Sequence, residues 1–146
     1  MGRDFKHIIF ILVLIFSFSF LFNFTWESFH AGFYYEGHNI LANQYVPMMT
    51  FVSIIDAVVI LGIYVLLSVI YKDLFWIKEL NRSKGMGMIT AGLVIAYLIE
   101  YVALQFHWWS YNPSMPTFLG VGISPLIQLS TTGILAVIVA KMLIYR

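Results

Sequence analysis

The sequence predicts an all-α integral membrane protein, a bundle of four transmembrane helices with its N- and C-termini cytoplasmic. Three observations predict it. Hydrophobic residues make up 61% of the 146-residue chain and charged residues 10%, against roughly 45–50% and about 25% in soluble domains. Four stretches reach the roughly 20 predominantly apolar residues that a spanning helix needs. Lys and Arg are confined to the N-terminus (Arg3, Lys6), the second connection (Lys72, Lys78, Arg82, Lys84) and the C-terminal end (Lys141, Arg146). Positively charged connections stay on the cytoplasmic side, and an even number of spans also puts both termini on one side.

The first span is expected over residues 8–27. It begins as a signal peptide would, with basic residues before an apolar run, but the run continues to Phe24 and no small-x-small cleavage site follows. A retained helix is therefore expected. The second span covers 48–70 and the third 86–106. They are joined by "YKDLFWIKELNRSKG", the most polar segment of the chain. The fourth covers 118–143. The breaker-rich "NPSMPTFLGVGISP" allows it to begin as late as Ser124, with Pro125 in the first turn, where a missing N–H costs little. Residues 1–146 form one transmembrane domain by length, with no internal repeat. The localisation expected is multi-pass in a membrane.

Several functions are excluded or disfavoured. A net charge of +1 with no basic stripe argues against a nucleic-acid partner. The chain has no cysteine, which removes disulfides, thiolate metal sites and cysteine nucleophiles. "GMGM" at 85–88 lacks every other feature of a phosphate loop, so no nucleotide is expected. No G-x-S-x-G, H-E-x-x-H or Ser-x-x-Lys motif is present. The sequons at Asn23 and Asn81 fall in a helix and on the cytoplasmic side, so neither is expected to carry a glycan.

The informative residues lie in "FNFTWESFHAGFYYEGHN", at the outer end of the first span. Asn23, Glu27, His30 and Tyr34 are spaced to share one helical face if the helix continues outward. Tyr97, Glu100 and His107 form a similar stripe in the third span, and Ser124, Gln128 and Thr131 one in the fourth. Asp56 lies about 12 Å, and Glu100 about 9 Å, below the outer ends of their expected spans at a rise of ~1.5 Å per residue. An acid at such depth costs about 2.5–3.5 kcal/mol and usually marks function. The inner halves carry few polar groups, which disfavours a channel or pump and favours a one-sided pocket.

The expected catalytic set is Asp56 and Glu100 as acid and base, with Glu27, His30 and His107 positioning groups or relaying protons. Carboxyls in dry surroundings can serve as general acids, with a neighbouring base accepting a proton. Asn23, Trp26, Tyr34, Tyr97, Trp108 and Gln128 would line the pocket. The plain reading of the acids is polar glue between helices, and of Trp26, Tyr34, Tyr35, Tyr45, Trp108, Trp109 and Tyr111 an interfacial belt. The belt has a second reading, as a lining that holds a positive charge by cation–π contact.

The expected function is an intramembrane enzyme working by acid–base chemistry on a lipid or isoprenoid, with membrane lipids or a hydrophobic small molecule as its partners. One alternative is a non-catalytic subunit or assembly factor of a larger membrane complex, or a homo-oligomer. Another is a metal- or haem-binding protein. Glu27-x-x-His30 has the spacing of a carboxylate–imidazole metal motif, and with His107 it would offer a mixed nitrogen and oxygen set. His7, Glu36 and His38 are given no role.

Overall fold

A computed structural model describes residues 2–37 and 40–145, without the side chains of Gly2 and Arg3. His38, Arg146 and the Arg3 side chain lie outside the described residues. Four helices, α1 (Gly2–Tyr34), α2 (Ala42–Tyr71), α3 (Arg82–Gln105) and α4 (Ile123–Ile144), form the molecule. All four are long and apolar enough to cross a membrane. The chain is thus a small multi-pass integral membrane protein built as a four-helix bundle.

Helix boundaries depart from the sequence reading where hydropathy does not set them. α1 has 33 residues, or about 50 Å at ~1.5 Å per residue, well beyond a hydrocarbon core of about 30 Å. It runs past Glu27 and His30 because no Gly or Pro interrupts it before Gly32. α2 starts six residues before the expected Met48 and tolerates Pro47 inside its second turn. α3 starts at Arg82, where the Asn81 carboxamide oxygen accepts the Lys84 N–H at 3.0 Å, a standard N-cap. α4 starts at Ile123, not at 118. Thr117–Phe118 and Val121–Gly122 form a short antiparallel hairpin, β1 and β2. Its tip has Leu119 at φ 49° and Gly120 at φ 82°, and Pro125 falls in the first turn of α4.

The helices pack in the order α2, α1, α4, α3. The α1–α2, α1–α4 and α3–α4 faces are extensive, whereas α2 and α3 meet loosely. The close α3–α4 contact requires Gly92: a Cβ there would sit 2.7 Å from Ser130 Cα. Small residues serve this purpose in membrane bundles, where dispersion and backbone approach replace the hydrophobic effect.

The half of the bundle that carries the termini is apolar. Ile11, Ile15, Ile60, Ile63, Met88 and Val137 are fully or almost fully buried against one another. The connection from α2 to α3 closes this end. Trp76 is fully buried, stacks on Tyr64 at 5.1 Å and donates to Ser68 Oγ at 3.1 Å. The Tyr64 hydroxyl donates to the Leu74 carbonyl at 2.7 Å. His7 Nε2 and the Tyr145 hydroxyl are hydrogen-bonded at 3.1 Å, so the first and last helices meet here.

A carboxyl-lined cavity as candidate functional site

Toward the opposite end the helix interior turns polar. Ser19, Asn23, Glu27 and His30 are all buried on α1, because spacings of three and four residues return to one side of a helix. Gln128 and Thr132, four residues apart on α4, face Asn23 and Glu27. Gln128 is the centre of the group. Its Nε2 lies 3.0 Å from Asn23 Oδ1, 2.7 Å from Glu27 Oε1 and 2.9 Å from Asp56 Oδ2. One side chain thereby ties α1 and α2 to α4. An amide nitrogen has two hydrogens, so three acceptors compete for two bonds. Asn23 Oδ1 also accepts from the Thr132 hydroxyl at 3.1 Å, and the Asn23 amide donates to the Ser19 carbonyl at 2.8 Å.

Glu100 of α3 has a different environment. It accepts from the Tyr35 hydroxyl at 3.3 Å, from Trp109 Nε1 at 3.2 Å and from the Tyr111 hydroxyl. Tyr111 in turn accepts the Gly122 N–H at 3.0 Å. Burial, reinforced by Glu100 alongside, pushes the hydroxyls of Tyr35 and Tyr111 up from their ordinary range. Both therefore remain protonated donors at neutral pH. Backbone bonds extend the same contact. Glu36 N–H donates to the Ser110 carbonyl at 3.1 Å and Asn112 N–H to the Tyr34 carbonyl at 2.9 Å. The end of α1, the 106–112 loop and the hairpin are thus fastened over α3 as a roof.

Between these two groups lies a half-enclosed cavity of about 250 Å³. Glu27, Asp56, Glu100 and Gln128 line it together with Tyr35, Trp108 and Trp109, and Met48, Val52 and Ile99 border its side along the α2–α3 seam. Its lining contains three acids and no Lys, Arg or His. A second, larger groove, about 690 Å³, runs along α1 and α4 on the other side of the Asn23–Thr132 contact.

Several sequence-derived candidates therefore meet and several do not. Asp56, Glu100, Glu27, Gln128 and Trp108 share the cavity, and Asn23 is hydrogen-bonded directly behind it. His30 is buried on α1 against the rings of Tyr34 and Tyr35, at 5.4 and 5.0 Å. It faces the groove with Trp26 and Tyr34 instead of the cavity. Ser124 and Thr131 also face the groove. The α4 position that joins the polar group is Thr132, one residue beyond the expected stripe. Tyr97 stacks on Tyr101 and reaches the Leu119 carbonyl at 3.5 Å, away from the acids. His107 leaves the stripe altogether, because α3 stops at Gln105 and His107 takes φ 55° in an exposed turn. Among the described residues no three His, Asp or Glu side chains are placed to hold one metal ion. Glu27, His30 and His107 do not come together: Glu27 lines the cavity, His30 faces the groove and His107 lies in the exposed turn.

The residues missed from sequence are Tyr35, Trp109 and Tyr111, the three donors to Glu100. All three were assigned to an interfacial belt. Their spacing from Glu100 in sequence gives no periodic signal, since the contact is made by a loop folding back. Compared with protein-family models, curated proteins and solved structures, the chain matches none.

Proposed function

We propose that the protein is a small intramembrane enzyme that performs acid–base chemistry on an apolar molecule reaching the cavity from the bilayer. The observation that supports this best is the presence of Glu27, Asp56 and Glu100, from three different helices, around one half-enclosed cavity. Intramembrane acids are costly and tend to be retained for function. The two carboxyls that share Gln128 are the reactive pair. One delivers a proton to an oxygen or an unsaturated carbon of the substrate, and the other removes a proton from a neighbouring position. The net reaction is an isomerisation or ring closure with no change in oxidation state and no co-reactant. Glu100 fixes the roof that excludes water. Lipids and isoprenoids are the substrate class that the α2–α3 seam favours, because Met48, Val52 and Ile99 offer an apolar approach. The distribution of Lys and Arg supports an outer-leaflet position for the cavity.

The test is mass spectrometry of the small molecules that co-purify after mild extraction, followed by incubation of each with protein in lipid nanodiscs. Wild-type protein should convert one of them, and Glu27→Gln and Asp56→Asn should each reduce conversion about 100-fold, the lower end for a lost general acid or base. Both variants folding normally and converting at the wild-type rate would refute the assignment.

A further inference from the structure

The cavity has a charge imbalance that the fold itself leaves unanswered. Three acids line it, yet no Lys or Arg occurs between His7 and Tyr71 or between Gly85 and Ala140. Among the described residues the imidazoles toward this end are His30, which faces the other groove, and His107, in an exposed turn. Glu100 is answered by three donors. Glu27 is more than nine-tenths buried, and among the described residues its Oε1 takes a hydrogen bond from Gln128. No hydrogen bond to its second oxygen or to Asp56 Oδ1 occurs among the described residues, and both side chains line the cavity. Neither oxygen is among the sealed, unpartnered side-chain atoms of the described residues, so both are open to a ligand that enters the cavity.

We propose that the complement is an organic ammonium: the cavity binds the head of a single-chain amphipathic amine that carries no phosphate. Four features select this class. A bare metal ion is disfavoured, because among the described residues the acids do not converge into a group able to hold one. An ammonium head is larger and can reach Glu27 and Asp56 together while lying against the faces of Trp108, Trp109 or Tyr35, where cation–π attraction contributes about 0.5–2 kcal/mol. The volume, about 250 Å³, equals roughly eight waters at ~30 Å³ each. That accommodates a head and a short length of chain, with the remainder passing out beside Met48, Val52 and Ile99 into the bilayer. A phosphate beside three carboxyls would be repelled, which disfavours common zwitterionic phospholipids. This inference rests on the cavity of the proposed enzyme and not on turnover.

The test uses full-length protein in phosphatidylcholine nanodiscs and isotopically labelled tetradecyltrimethylammonium, whose charge does not change with pH. Saturable binding of one equivalent is expected, above the level in empty nanodiscs. Unlabelled long-chain ammonium should displace it, whereas tetradecanol and phosphatidylethanolamine should not. Glu27→Gln and Asp56→Asn should each weaken binding at least tenfold. Glu79→Gln, an exposed acid at the far end, should leave it unchanged. Should one cavity variant fail to fold, the other still decides. Equal displacement by tetradecanol, equal displacement by phosphatidylethanolamine, or unchanged affinity in a folded cavity variant would each overturn the proposal. Conversion of a co-purified molecule without ammonium binding would defeat this inference and leave the enzyme assignment standing. Binding without conversion would do the reverse.

Discussion

Glu100 and the Glu27–Asp56 pair are buried acids of the same bundle, in the same cavity wall, and the chain treats them in opposite ways. Glu100 receives two hydroxyl donors and an indole N–H, all from segments beyond the helices. Glu27 and Asp56 share a single amide that also faces Asn23. An acid surrounded by donors is fixed and unreactive, and it organises whatever supplies those donors. An acid with an unpartnered oxygen facing a void can exchange a proton or meet a ligand. All three are carboxylic acids lining one cavity, and the count of donors separates architecture from chemistry.

Four measurements can break or sharpen that contrast. The largest effect is expected for Glu100→Ala, which strands the hydroxyls of Tyr35 and Tyr111 and the Trp109 N–H. Leaving one buried donor unpaired costs about 1–3 kcal/mol, so a loss of about 3 kcal/mol or more should appear in thermal unfolding. Protease cleavage within 106–122 should accelerate in parallel. Next come Glu27→Gln and Asp56→Asn. These should lower conversion about 100-fold while changing stability by less than about 1 kcal/mol, since each amide still offers an oxygen to Gln128. If either destabilises as much as Glu100→Ala, the contrast fails. A smaller effect is expected for Gly92→Ala. The added methyl must push α3 from Ser130, at a cost of about 1–3 kcal/mol for overpacking, and conversion should fall only modestly. The smallest is His107→Ala. An exposed loop side chain outside the cavity should move stability by no more than ~0.5 kcal/mol and leave conversion unchanged.

How far these features were legible in the sequence follows from their physical range. Spans are set by local hydropathy over about 20 residues, so all four were recoverable, and helical spacing brought Asn23 and Glu27 to one side. The ends were less accessible. α1 and α2 overrun the apolar runs because their polar outer turns continue to hydrogen-bond as helix, which hydropathy does not report. His107 was misplaced for the converse reason: the stripe was extended through a residue that the chain uses to turn. Asp56 and Glu100 were paired by depth, and both line the cavity, while Gln128 additionally joins Asp56 to Glu27. Thr132 could have been found, being four residues beyond Gln128 on the same face. Tyr35, Trp109 and Tyr111 could not, because their contact with Glu100 depends on loop closure across as many as 65 residues of chain.

The isoleucine-rich packing beneath the cavity has a consequence for the membrane as a whole. Among the described residues Ile11, Ile15, Ile60 and Ile63 are buried there and offer no hydrogen-bonding side chain between Ser19 and the terminal end. On the proposed function, protons exchanged at Glu27 or Asp56 would then equilibrate with one compartment alone. A cell could hold this protein at high copy number without discharging its electrochemical gradient, and the chemistry would follow the acidity of a single side.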